Sequence, residues 1–124
     1  AFSPGGKFLA SGNDDLLFWD ATEGTLIRRV ELANWVTALG FSPDGGIVAT
    51  GHDDGSVRFW DVSTQKLVGQ IAAHEDVVSA VSFDPAGKYV ATAGEDRIVG
   101  VWDADSHKKV AVLKSHTDRI PALA

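Results

Sequence analysis
The chain has no cysteine, which excludes disulfide stapling, thiolate zinc sites and thiol chemistry and leaves its redox compartment open. It lacks any apolar run near the roughly 18–20 residues that a membrane span requires, and no apolar stretch with basic flanks marks its N-terminus. A cytoplasmic location without a membrane partner is therefore expected. Positive charge is scarce too: eleven Lys and Arg against seventeen Asp and Glu give −6 over 124 residues, so nucleic acid is not an expected partner. Thirteen glycines and four prolines fall without a three-residue period, and no segment shows a helical spacing of apolar residues. Collagen-like and coiled-coil classes are thus excluded. What is present, 44% hydrophobic and 23% charged residues, suffices to bury a core.

The chain repeats itself. Trp19-Asp20, Trp60-Asp61 and Trp102-Asp103 are separated by 41 and 42 positions, and Phe2, Phe41 and Phe83 by 39 and 42. The text between them nearly superimposes, as FSPGGKFLASGNDDLLFWD, FSPDGGIVATGHDDGSVRFWD and FDPAGKYVATAGEDRIVGVWD. The first copy is two residues shorter, and the missing pair falls just after Asp15. Periods of 20–50 residues mark radial or solenoid architectures. In the second copy, Ser42-Pro43-Asp44-Gly45 and Asp53-Asp54-Gly55 read as tight turns, with Pro presetting φ and Gly free to take positive φ. They separate short strands over 36–41, 47–50, 57–60 and 66–71. The other copies read alike, over 7–11, 16–19 and 26–31, then 78–83, 89–93, 98–102 and 109–113. Four strands per unit and no helix make the predicted fold all-β.

A unit of about 40 residues whose third strand closes on Trp-Asp resembles the WD-repeat β-propeller family, in three tandem copies spanning the chain. The resemblance implies blades of four antiparallel strands, in units of roughly 1–34, 35–76 and 77–118, with 119–124 opening another blade. It also implies a structural tetrad: an inter-blade His, a Ser or Thr on the second strand, an Asp in the following turn, and the Trp. One unit carries all four, as His74, Thr92, Asp96 and Trp102. The middle unit has Thr50, Asp54 and Trp60, but Leu32 stands where His74 does, so a tetrad without its His is expected there. The first unit has Ser11, Asp15 and Trp19 with no His upstream, and His116 would serve a unit after the last. These buried polar groups are expected to be structural, because buried hydrogen-bonding groups must be paired. A Ser/His/Asp triad would also need an exposed nucleophile and an oxyanion site.

Three blades fall below the usual four to eight. Bare end faces of several hundred Å² each, at ~25 cal/mol per Å², amount to on the order of 10 kcal/mol of unburied apolar surface. The ends, each inside an inner strand, lead to the expectation of closure by a longer parent chain or by homo-oligomerisation. In the second case His116 of one copy completes the Ser11, Asp15 and Trp19 set of the next.

No catalytic constellation, phosphate loop or metal-ligand spacing emerges, so no enzyme activity, cofactor or metal is expected. His52, Asp53 and Asp54 beside Asp14 and Asp15 match no recognised ligand pattern. The expected function is a protein-interaction scaffold that binds a peptide or protein, with a regulatory or targeting module of a larger protein as the alternative. In the resembled family, partners meet the rim that carries the inter-blade loop and the turn before the third strand. Position by position, that rim holds Asp14, Asp53 and Glu95 from the turns, and Trp35, Glu75 and Arg119 from the loops. Three acidic turn positions either attract a basic peptide or only brace the turns. Trp35, the one Trp outside the Trp-Asp pairs, is either an exposed binding anchor or a cover for the loop that contains Leu32.

Overall fold
A computed structural model describes residues 1–114, so His116 and Arg119 lie outside the described residues. Eleven strands follow one another: β1 Phe8–Gly12, β2 Asp15–Asp20, β3 Thr25–Glu31, β4 Val36–Phe41, β5 Ile47–His52, β6 Ser56–Asp61, β7 Lys66–Ala72, β8 Val78–Phe83, β9 Tyr89–Gly94, β10 Val99–Asp103 and β11 Lys109–Leu113. They form three antiparallel meanders, β1 to β3, β4 to β7 and β8 to β11. The first sheet has three strands, at the three segments read over 7–11, 16–19 and 26–31. Ala1 and Phe2 lie beside β1 in the fourth position, joined to it by the Ala1 ammonium on the Ala10 carbonyl at 2.7 Å and a bridge from Phe2 to Leu9. No helix occurs among the described residues, and the architecture is an open, propeller-like stack of sheets.

Turn chemistry explains why the strands end where they do. The Asp of each Trp-Asp pair takes backbone N–H groups of the next loop on its carboxylate. Asp20 accepts from Thr22 and Glu23, Asp61 from Ser63 and Thr64, and Asp103 from Asp105 and Ser106, all at 2.9–3.1 Å. A positive-φ residue then closes each hairpin: Gly24, Gln65 and His107. Hydrogen bonds to the charged form stabilise it, so all three carboxyl groups titrate below their ordinary value. For Asp20 the Thr22 hydroxyl is the main cause, for Asp61 the Ser63 hydroxyl, and for Asp103 the Ser106 N–H. The Asp of the repeat is thus a hairpin cap, while its Trp neighbour points into the stack.

The core lies between sheets rather than within one. Ala10, Leu16 and Phe18 of the first blade meet Val48, Trp60 and Val62 of the second. Ala49, Val57, Phe59 and Ile71 of the second meet Val78, Val81, Val90 and Trp102 of the third. Phe18 and Phe59 are essentially inaccessible, and truncating either to Ala carries the usual cost of about 3–5 kcal/mol. Both junctions share one close approach, in which a glycine at or next to the end of the second strand of the blade leaves room for the valine that opens the next blade. Gly12 receives Val36 and Gly51 receives Val78; a Cβ on Gly12 would lie 2.7 Å from that of Val36. Thr37 adds an inter-blade bond, donating to the Val78 carbonyl at 2.6 Å.

Candidate functional site
The polar centre of the last blade is a directed chain of hydrogen bonds. The indole N–H of Trp102 donates to Thr92 Oγ1 at 3.0 Å, and Thr92 Oγ1 lies 2.8 Å from His74 Nε2. An indole can only donate, so the threonine hydroxyl accepts from it and gives its own hydrogen to Nε2. That assigns the proton of His74 to Nδ1, which points at Asp96 Oδ2 at 2.9 Å. Asp96 also accepts the N–H groups of Glu75 at 3.2 Å and Ile98 at 3.1 Å. Thr92 is fully buried, with its hydroxyl enclosed between the indole and the imidazole, so it is not exposed as a nucleophile would be. His74, Thr92, Asp96 and Trp102 are thereby brought together, with the histidine reaching in from the inter-blade loop.

The middle blade departs from the expectation that its set lacks a histidine. Trp60 donates to Thr50 Oγ1 at 3.0 Å, and Thr50 Oγ1 lies 2.8 Å from Nε2 of His52, from the end of the same strand. The exchange is reciprocal. Where the last blade has Gly94, the middle blade has His52; where the last blade has His74, the middle blade has Leu32, half-buried against the core. Gly94 has to be a glycine, because a Cβ there would lie 2.7 Å from His74 Nδ1. His52 grows from the position at which a glycine otherwise makes room for the inter-blade histidine. The signal stands in the sequence, as Thr-Gly-His against Thr-Ala-Gly. The ring nitrogens of His52 face Thr50 and, at 3.4 Å, the Asn34 carbonyl.

Asp54, without a histidine to hold, turns to its own loop. It accepts from the Ser56 N–H at 2.9 Å and hydroxyl at 2.6 Å, and Arg58 Nη2 stands 3.6 Å away. Burial opposes its ionisation, but these donors outweigh it and the carboxyl titrates below its ordinary value. His52 is shifted the other way in effect. Burial, and then the positive charge of Arg58, disfavour its protonated form and push its pKa down. In the first blade Trp19 donates to Ser11 Oγ at 3.0 Å. Asp15, expected in that set, instead accepts from Arg29 Nε at 2.6 Å, because the shortened turn places it inside β2.

Around these centres lies the rim. Asp53 donates its N–H to the Trp35 carbonyl at 3.2 Å, and Glu95 does the same to Val77 at 2.8 Å, so each turn is tied to the loop that enters its own blade. The Asn13 carbonyl accepts from Val36 at 2.6 Å, which links the first turn to the second blade. Trp35 is 60% exposed. Asp14, Asp53 and Glu75 are exposed and Glu95 is half-buried.

The WD40 family description, "WD domain, G-beta repeat", matches residues 24–61 and 65–103. Autophagy-related protein 16 of Arabidopsis thaliana is 36% identical over 61 residues, covering 49% of this chain and 12% of that protein. Small ribosomal subunit protein RACK1y of Oryza sativa subsp. japonica is 38% identical over 72 residues, covering 56% of this chain and 21% of its own. A solved structure titled "Structure of U3-55K" superimposes with a TM-score of 0.94 at 20% identity, covering 98% of this chain and 40% of that one. The matches to these two curated relatives cover about a fifth of their length or less.

Proposed function
This chain belongs to the WD40 family, and we propose that it is a non-enzymatic interaction scaffold whose partner, a protein or basic peptide, docks on the rim formed by Trp35, Asp14, Asp53, Glu75 and Glu95. WD40 repeat proteins are in general protein-interaction scaffolds. The observation that carries the reading is Trp35: a large aromatic side chain left 60% exposed, beside a turn whose Asp53 is bonded to its backbone. Exposed Trp is over-represented among residues that dominate binding energy, and acidic neighbours steer a basic partner. Arg119, the sixth rim position, belongs to the same proposal on its sequence alignment alone. The open end faces are covered by further blades or by a second copy, and a cytoplasmic location goes with this reading.

The test uses a fluorescent Lys/Arg-rich peptide and the intact protein. Binding that weakens with salt, and drops at least tenfold in Trp35→Ala with melting temperature unchanged, supports the rim. Equal binding by wild type and variant would sink it. The alternative, a regulatory or targeting module of a larger protein, is favoured by the small share of each relative that this chain spans. An intact reading frame encoding a further domain supports that reading.

A further inference from the structure
We propose that the crevice between the second and third blades, at the outer edge of the molecule, is a second binding site, which takes an extended acidic segment of a partner protein by strand addition to β11. It does not rest on the rim reading and calls for a ligand of the opposite charge.

Three observations converge on it. The first is room. A cavity of about 530 Å³ opens between the end of β7 and strands β10 and β11, bordered by Trp102, Gly100 and Val112 of the last blade and by Ala72 and Ala73 of the preceding one. Its counterpart at the first junction is filled. Register pairs Gly100 with Thr92 and Arg58 with Thr50, so the two residues hold the same place on their blades. Arg58 packs there with a side chain only 12% exposed and donates to Asn34 Oδ1 of the preceding linker at 3.1 Å. Gly100 has no side chain to do so, and the space stays open.

The second is charge. Lys109 and Lys114 border the cavity, both are exposed, and neither is in an ion pair among the described residues. Lys109 Nζ lies 5.6 Å from the centre of the Trp102 ring, which sets its cation on the cavity wall. No acidic residue occurs on β11, whereas Arg29 on the outer strand of the first blade is already bound to Asp15. Two carboxylates also line the cavity. Asp96 is committed to His74 and to the N–H groups of Glu75 and Ile98, and Glu75 is exposed on the rim.

The third is the edge. Among the described residues β11 pairs only with β10, which leaves its outer side open to a further strand. Val110 and Leu113 are more than half exposed on it. Lys109 pairs with Trp102 and Val112 with Gly100, and a bulge between Val101 and Trp102 keeps both on the face turned to the cavity. A strand laid along β11 sends alternate side chains into the cavity. Carboxylates there meet the two lysines, and an apolar residue between them covers Val112.

Fluorescence anisotropy on the intact protein tests this with a labelled peptide alternating Glu and Val, against peptides alternating Lys with Val and Glu with Ser. The Glu-Val peptide is expected to bind, more weakly as salt rises, and to outcompete the other two. Lys109→Glu combined with Lys114→Glu, both at exposed positions, is expected to cost about tenfold in affinity with melting temperature unchanged. Gly100→Arg, which fills the cavity as Arg58 fills the first, is expected to abolish binding. Bound peptide is expected to slow amide exchange along β11 and leave β7 level. No binding of the Glu-Val peptide, equal binding by the doubly substituted protein, equal binding of the Glu-Ser peptide, or no protection of β11 overturns the proposal. Should Gly100→Arg fail to fold, the lysine pair and the exchange pattern decide. Trp35→Ala is expected to leave this binding intact, so failure of the rim reading and failure of this one are read separately.

Discussion
The middle and last blades build the same relay, from indole to threonine hydroxyl to imidazole, and end it differently. In the last blade the histidine arrives from the linker and finishes on Asp96, so the relay crosses from one blade to the next. In the middle blade it arrives from β5 and finishes on a backbone carbonyl, so the blade satisfies itself. The difference teaches that what must be kept is the pairing of the buried tryptophan and threonine, whereas the source of the histidine is negotiable. What is lost with the relocation is the carboxylate, and with it the neutralisation of a protonated ring.

The largest effect that separates the two blades is expected at Gly94. Gly94→Ala drives a methyl group into His74 and Asp96 and should cost about 3 kcal/mol in chemical denaturation. Recovery of that loss by adding His74→Leu and His at position 94, the middle-blade arrangement, would show that the two solutions are interchangeable; failure to recover would break the comparison. Next come the aspartates. Asp96→Asn removes the charged acceptor of His74 and should cost about 2 kcal/mol. Asp54→Asn, at a side chain 36% exposed and bonded within its own turn, should cost less than about 1 kcal/mol. Equal losses would mean that Asp54 supports its blade in a way its contacts do not reveal.

A smaller effect of opposite sign is expected at Arg97. Gly55 of the middle blade takes φ +83 and has no room for a Cβ against the His74 carbonyl, while its counterpart Arg97 holds φ +68 as a non-glycine residue. Arg97→Gly should therefore stabilise by up to about 1 kcal/mol, read as a raised melting temperature. The least discriminating change is acid. Asp20, Asp61 and Asp103 all titrate low in the fold, so their contribution is complete above the ordinary carboxylate value and is lost as pH falls from there through their lowered folded values. All three blades should lose it together, as a shared drop in stability toward pH 3; loss from one blade alone would show that the hairpin caps are not equivalent.

The sheets were legible in the sequence because their causes are local. Pro-Asp-Gly and Asp-Gly fix turns within four residues, and the Asp after each Trp caps a hairpin by bonds that span two or three residues. The Trp–Thr and Trp–Ser pairs were legible because the repeat aligns them. His52 was not, since its role depends on Leu32 standing, twenty residues earlier, where the last blade has its histidine, and the substitute comes from the strand rather than the linker. Asp15 escaped for the opposite reason: two missing residues in one turn moved it from loop to strand, where Arg29 on the neighbouring strand lies within reach. Exposure of Trp35 is a property of the assembled rim, and no composition or spacing reports it.

The glycine near the end of the second strand in the first and middle blades, filled by the valine that opens the following sheet, gives the array a polarity. The middle blade carries the plug, Val36, on one face and the socket, Gly51, on the other, so turning it around would bring socket to socket and plug to plug. Any unit grafted in place of the middle blade therefore has to arrive in the same orientation, carrying a β-branched residue at the start of its innermost strand and no side chain where the next one enters.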